Sequence, residues 1–182
     1  NDQMVNFLWM NRGDGTFAEE AALAGCAVNM EGNEEASMGV VAADFDEDGA
    51  LDLFMTHLDG ETNTLYLGDG TGLFRDRTAS LGLAAPSLPS TGFGTAAIDL
   101  DLDGWQDIYV ANGAVYTIES QRRSGDPFPF RQPDQVFRNE AGAAFRETGE
   151  ALAAGPRAPR PQAGRGVAAG DRLRAGFQMP NA

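Results

Sequence analysis

One nine-residue pattern, DxDxDGxxD, occurs twice in this chain, as DFDEDGALD at residues 44–52 and DLDLDGWQD at residues 99–107. Each copy sets four aspartates inside one tight turn, and carboxylates so crowded repel one another unless a cation lies among them. The glycine at the sixth position, Gly49 or Gly104, supplies the positive φ that turns the carboxylates inward. Hard anionic oxygens at this spacing suit calcium, which takes about six to eight oxygen ligands. The expected ligands are Asp44, Asp46, Asp48 and Asp52 with the backbone carbonyl of Ala50 in the first loop. In the second they are Asp99, Asp101, Asp103 and Asp107 with the carbonyl of Trp105, the last aspartate of each loop being bidentate. A metal-free Asp/Gly hairpin turn is the bland alternative, and the charge crowding argues against it.

An EF-hand opens in the same way, but it requires a bidentate Glu at its twelfth position and helices on both sides. The twelfth position here is Met55 or Val110, and neither side chain ligates. The flanks MGVVAA (38–43) and LDLFMT (51–56) are short apolar runs with partial alternation, and GTAAI (94–98) and DIYVA (107–111) repeat them. The sequence therefore predicts strand–loop–strand hairpins.

A longer period surrounds the loops. Gly39 stands five residues before Asp44, Gly94 five before Asp99, and Gly166 five before Asp171. The third loop keeps Asp171 and Gly176 but carries Leu173, Ala175 and Met179 where ligands belong, so two calcium sites are expected and none at Asp171. A second element recurs between the loops, as NFLWMNRGDGTF (6–17), NTLYLGDGTGLF (63–74) and DQVFRNEAGAAF (134–145). Each reads as an apolar strand, a Gly/Asp/Asn turn and a return strand. One plain and one acidic hairpin make four strands in roughly 55 to 70 residues, the pattern of a propeller blade. The expected fold is all-β, a β-propeller of four-stranded blades with about three repeats, near 6–62, 63–133 and 134–182, the last truncated or degenerate. Because propellers close with about four to eight blades, the 182 residues read as a single partial propeller, a fragment of a larger ring.

Phe93-Gly94 followed by TAAI and DLDLDG resembles the FG-GAP and VCBS repeats of integrin-like β-propellers, and NRGDGTF at 11–17 resembles the turn those repeats carry. LDGETNTLY (58–66) and TGFG (91–94) are further similar to secreted proteins of the ASPIC/UnbV, or cartilage-acidic-protein, type. The likeness implies an extracellular calcium-binding repeat segment that recognises a protein or glycan, completed by the remaining blades of a propeller.

The net charge of −14 is concentrated before the last thirty residues, and it argues against nucleic acid and anionic membranes as partners. No apolar run reaches transmembrane length and no signal peptide is present, so an extracellular, cell-surface or periplasmic setting rests on the calcium loops. Lacking a twelfth-position ligand, those loops suit the high calcium outside the cytosol. Cys26 is the one cysteine, which rules out an internal disulfide and fits a small buried thiol.

Other features invite sharper readings. Arg12-Gly13-Asp14 spells an adhesion tripeptide, yet the turn pattern already accounts for it. His57, the one histidine, could face a ligand surface, but no Ser, Cys or second His is arranged with it as a triad. Trp9, Tyr66, Tyr109 and Phe137 fall on strands and are expected mostly in the core, whereas Trp105 lies in a loop as an exposed contact or an inter-blade packing residue. Residues 113–133 form a long insert without a strand or helix pattern, with Tyr116, Phe128 and Phe130, and are the best candidate for partner contact. The resulting expectation is a non-enzymatic recognition module. The rival is part of a propeller-fold polysaccharide lyase or sugar-modifying enzyme, for which one His, three Tyr and no Lys leave few candidates.

Overall fold

Alternating small apolar and β-branched residues broken by Asp/Gly turns favour short strands joined by tight hairpins, and the fold is built from little else. The computed structural model describes residues 2–148. In chain order the elements are β1 (Trp9–Asn11), β2 (Phe17–Glu19), α1 (Ala21–Ala24), β3 (Val40–Ala43), β4 (Asp52–Met55), β5 (Thr64–Gly68), β6 (Phe74–Asp76), α2 (Ala84–Ser87), β7 (Gly92–Ile98), β8 (Asp107–Asn112), α3 (Glu119–Arg123), β9 (Gln135–Asn139) and β10 (Phe145–Glu147). The strands form a two-stranded hairpin, β1-β2, and two four-stranded antiparallel meanders, β3-β4-β5-β6 and β7-β8-β9-β10. No barrel closes among the described residues, and the arrangement is that of an incomplete propeller. The repeat frame expected near 6–62, 63–133 and 134–182 opens on the plain hairpin. The sheets instead begin with the acidic hairpin, because β4 pairs directly with β5 and β8 with β9.

Registry within the two meanders is the same. Leu53 lies opposite Tyr66 and Phe54 opposite Leu65 in the first, and Ile108 lies opposite Phe137 in the second. Successive residues face opposite sides of a strand, so the first meander feeds two cores. Phe54 and Leu65 join Phe45, Ile108, Val110, Phe137 and Phe145 between the two meanders. Leu53 and Tyr66 face the other way, toward Ala21, Ala24 and Cys26 beneath the β1-β2 hairpin. Cys26 is buried, as its sequence context suggested.

The meanders approach each other most closely where β3 meets β7. A Cβ on Gly39 would stand 2.1 Å from the Phe93 carbonyl oxygen, so only glycine fits there. The adjoining Thr56 hydroxyl donates to that same oxygen at 2.7 Å. This contact is the physical reason for the glycine set five residues ahead of the first loop.

Three expectations are corrected. Trp9 occupies the hairpin position of Tyr66 and Phe137, yet it is 61% exposed where they are 0%. Strands β4 and β8 lie beside those two residues, while β1 pairs with β2 alone among the described residues. His57 does not face a ligand surface: it is fully buried, with Nε2 3.2 Å from the Ser37 hydroxyl and Nδ1 2.7 Å from the Thr62 carbonyl oxygen. The insert is also not irregular throughout. It contains α3, and its ends are tied by a Gly113–Arg131 bridge and by Ala114 N–H donating to the Phe130 carbonyl.

Candidate metal centre

Each acidic loop is the turn of its meander's first hairpin, between β3 and β4 or between β7 and β8. Both are shaped by two left-handed residues. Gly49 (φ 89°) and Gly104 (φ 98°) sit at the sixth position as the sequence required, and Glu47 (φ 56°) and Leu102 (φ 62°) share that conformation at the fourth. Non-glycine residues rarely adopt it, and its recurrence at one position of both loops marks strain kept by the surroundings. Nothing in the side chains of Glu47 and Leu102 announces this. The loops are stitched alike. Gly49 N–H donates to Asp44 Oδ2 and Gly104 N–H to Asp99 Oδ2, both at 3.0 Å. Ala50 N–H and Trp105 N–H are held by Asp48 Oδ1 and Asp103 Oδ1.

This stitching gathers carboxylates. Asp44, Asp46 and Asp48 bring one oxygen each within 4.8 Å of one another, and Asp99, Asp101 and Asp107 do the same. Asp52 and Asp103 stand outside these groups. Asp52 is fully buried and accepts Phe45 N–H on one oxygen and Gly68 N–H on the other, at 2.8 and 2.9 Å. Asp107 takes the same role, accepting Leu100 N–H and Asn139 N–H. The ninth position is thus first a tether between loop and third strand, which its expected bidentate role did not foresee. Asp103 instead divides its oxygens between Trp105 N–H and Arg138. Trp105 is half-buried, and its indole packs at Gly142, where a Cβ would come within 3.1 Å of the ring.

Electrostatics strain the cluster in the direction a cation relieves. Burial, then the charges of Asp48 and Asp44, hold the Asp46 carboxyl above its usual range. Burial likewise raises Asp107, and it pushes Asp52 up to about 6 against two stabilising backbone donors. Asp44 Oδ1 is buried with no hydrogen-bond partner. A buried carboxylate oxygen left unmatched is costly, and the three converging carboxylates to which Asp44 belongs make a hard-donor set that fits a calcium ion. The expected absence of a site at Asp171 falls outside the described residues.

Strand–acidic loop–strand units repeated in four-stranded meanders define a class, and the comparison agrees. Residues 1–55 and 44–110 match the FG-GAP-like repeat, and the chain belongs to that family. Over 139 residues, 70% of this chain, it is 33% identical to human cartilage acidic protein 1 and 32% identical to the mouse protein of that name. Both the FG-GAP resemblance and the cartilage-acidic-protein resemblance drawn from residues 58–66 and 91–94 are thereby upheld. The chain spans about one fifth of the length of these relatives, 19% and 20%.

Proposed function

We propose that this chain is a calcium-stabilised propeller segment that serves outside the cytosol as a recognition module for a protein or glycan, without catalytic activity of its own. The observation that carries the reading is the convergence of three carboxylates in each of two equivalent loops, with Asp44 Oδ1 buried and unmatched in the first. Calcium bound there neutralises the cluster and fixes the hairpin turn, so ion binding and local folding share one equilibrium. Extracellular calcium is abundant enough for loops without a twelfth-position ligand, and the name of the relatives, cartilage acidic protein 1, fits that setting.

Recognition falls to residues 113–133, where Tyr116 is 78% and Phe128 60% exposed on a segment held at both ends. The Arg131 guanidinium stacks 5.6 Å above the Phe128 ring, an aromatic–cation platform suited to sugar or side-chain contact. Among the described residues no helix is long and apolar enough to cross a membrane. The buried, neutral His57 is poorly placed to move protons for a substrate, which favours a module over the enzyme alternative.

Calcium calorimetry with the 182-residue chain tests the proposal. Two ions are expected, with Asp46→Ala and Asp101→Ala each removing one. A chain that takes up no calcium and gains no thermal stability from it would overturn the reading.

A further inference from the structure

The two loops match in backbone but not in what faces them. Arg138 Nη2 lies 2.6 Å from Asp101 Oδ2 and 3.5 Å from Asp103 Oδ2, so the second loop already holds a cation supplied by its own sheet. Leu67 occupies the equivalent position in the first meander, since Tyr66 and Phe137 share register and Gly68 and Asn139 make the same bond to the ninth aspartate. No Arg pairs with Asp44, Asp46 or Asp48 among the described residues. The backbone sharpens the contrast. Asp99 Oδ1 accepts Asp103 N–H at 3.1 Å, whereas Asp44 Oδ1 is the buried oxygen with no partner.

Arg138 is aimed at the loop by its neighbours. Phe137 and Asn139 are both buried, which leaves the intervening side chain pointing outward from β9. Directly opposite it on β10 is Arg146, a like charge whose own guanidinium is engaged by Glu140. Like charges facing across a strand pair repel, and the acidic loop is where Arg138 escapes.

We infer that Arg138 is an intramolecular rival of calcium at residues 99–107, so that the two loops bind the ion with unequal strength and residues 44–52 fill first. The inference rests on the calcium reading above. An arginine stays charged at all relevant pH values, so a divalent ion entering the second loop must displace the guanidinium or share the carboxylates with it. With Arg138 51% and Asp101 35% exposed, the side chain can swing into solvent, and the site is weakened rather than blocked. Like charges a few ångströms apart in a solvated setting correspond to a change in affinity on the order of three- to tenfold, which salt diminishes.

Calcium calorimetry on Asp46→Ala, which leaves the second loop as the intact site, is compared with the same protein carrying Arg138→Leu or Arg138→Lys. Arg138→Leu is expected to tighten binding by about three- to tenfold, Arg138→Lys by less, and the difference is expected to shrink in high salt. Should Asp46→Ala fail to fold by circular dichroism, a two-site titration of the otherwise unaltered chain replaces it, and Arg138→Leu is then expected to bring the two dissociation constants together. Binding that is unchanged or weaker in Arg138→Leu sinks the rivalry while leaving the calcium reading intact. A protein that folds but binds no calcium at either loop, with or without Arg138, removes both.

Discussion

Asn139 donates its backbone N–H to Asp107 Oδ1 at 2.8 Å, fastening the end of the second acidic loop to the third strand of its meander. Its side chain continues the link into the neighbouring sheet, donating Nδ2 to the Phe45 carbonyl at 2.8 Å and to the Gln106 carbonyl at 3.1 Å, while Oδ1 accepts Gly142 N–H. Phe45 belongs to the first acidic loop, so one buried amide touches both. The first meander makes the backbone bond through Gly68, which has no side chain with which to extend it.

Removing that amide leaves the Phe45 carbonyl buried and short of a donor. Asn139→Ala is expected to cost about 2 to 4 kcal/mol, combining lost hydrogen bonds with a small cavity. Urea denaturation with and without calcium measures it. A cost below about 0.5 kcal/mol would mean that water replaces the bridge.

Gly39→Ala tests the approach of β3 to β7. The added Cβ would meet backbone oxygen rather than a flexible side chain, so relief requires the two sheets to part. Destabilisation at or above the upper end of the usual overpacking range, about 3 kcal/mol, is expected in chemical denaturation. Gly13→Ala, in the exposed hairpin turn with no atom within 4 Å of its Cβ, isolates the strain of a positive φ and serves as the comparison.

Acid should weaken the fold through His57. Burial, opposed by the Thr62 carbonyl, lowers its pKa from 6.5 to about 4. Because the folded value is depressed, the unfolded chain takes the proton first. The contribution is intact above pH 6.5 and declines as pH falls toward 4, by up to about 3 kcal/mol. Burial raises the Glu35, Asp46 and Asp107 carboxyls and pushes Asp52 up to about 6, effects of opposite sign that return part of the loss as pH falls. The His57 share is therefore read as a difference: urea midpoints in chelator between pH 7.5 and 5 should lose more in the unaltered chain than in His57→Asn, the residue the second meander carries there as Asn112. An unchanged slope in that variant assigns the acid sensitivity to other groups.

Trp105 should report the second loop. The chain has two tryptophans, and Trp105 follows Asp103 and Gly104 directly, its N–H held by Asp103. In Trp9→Phe, calcium is expected to shift the remaining emission. In Trp105→Phe the exposed Trp9 should respond to acrylamide but not to the ion, and an equal calcium response from Trp9 would point to a global change instead.

What the sequence displayed was local. A run such as DLDLDGWQD encodes its own turn, and the strands on either side follow from their apolar spacing. What it hid was set at long range or on too small a scale. Asn139 meets Phe45 across 94 residues, and neither type suggests the other. His57 admits a ligand-surface reading because its polarity is visible in the sequence and the enclosing Ser37, Thr62 and Glu35 are not. Trp9 shares the strand position of Tyr66 and Phe137 and so reads as core with them, yet burial belongs to the neighbouring strand. The five residues of α3 are too few for a helical period to register.

Each meander draws its four strands from one unbroken stretch, Val40 to Asp76 and Gly92 to Glu147. A nascent chain carrying several near-copies of one hairpin risks joining a strand to the wrong copy. Here the proper neighbour leaves the ribosome next, and by the time the second meander is made the look-alike strands of the first already have partners. Bonds that reach between sheets, such as Asn139 to Phe45, are then left to form last, between surfaces that have already chosen their shape.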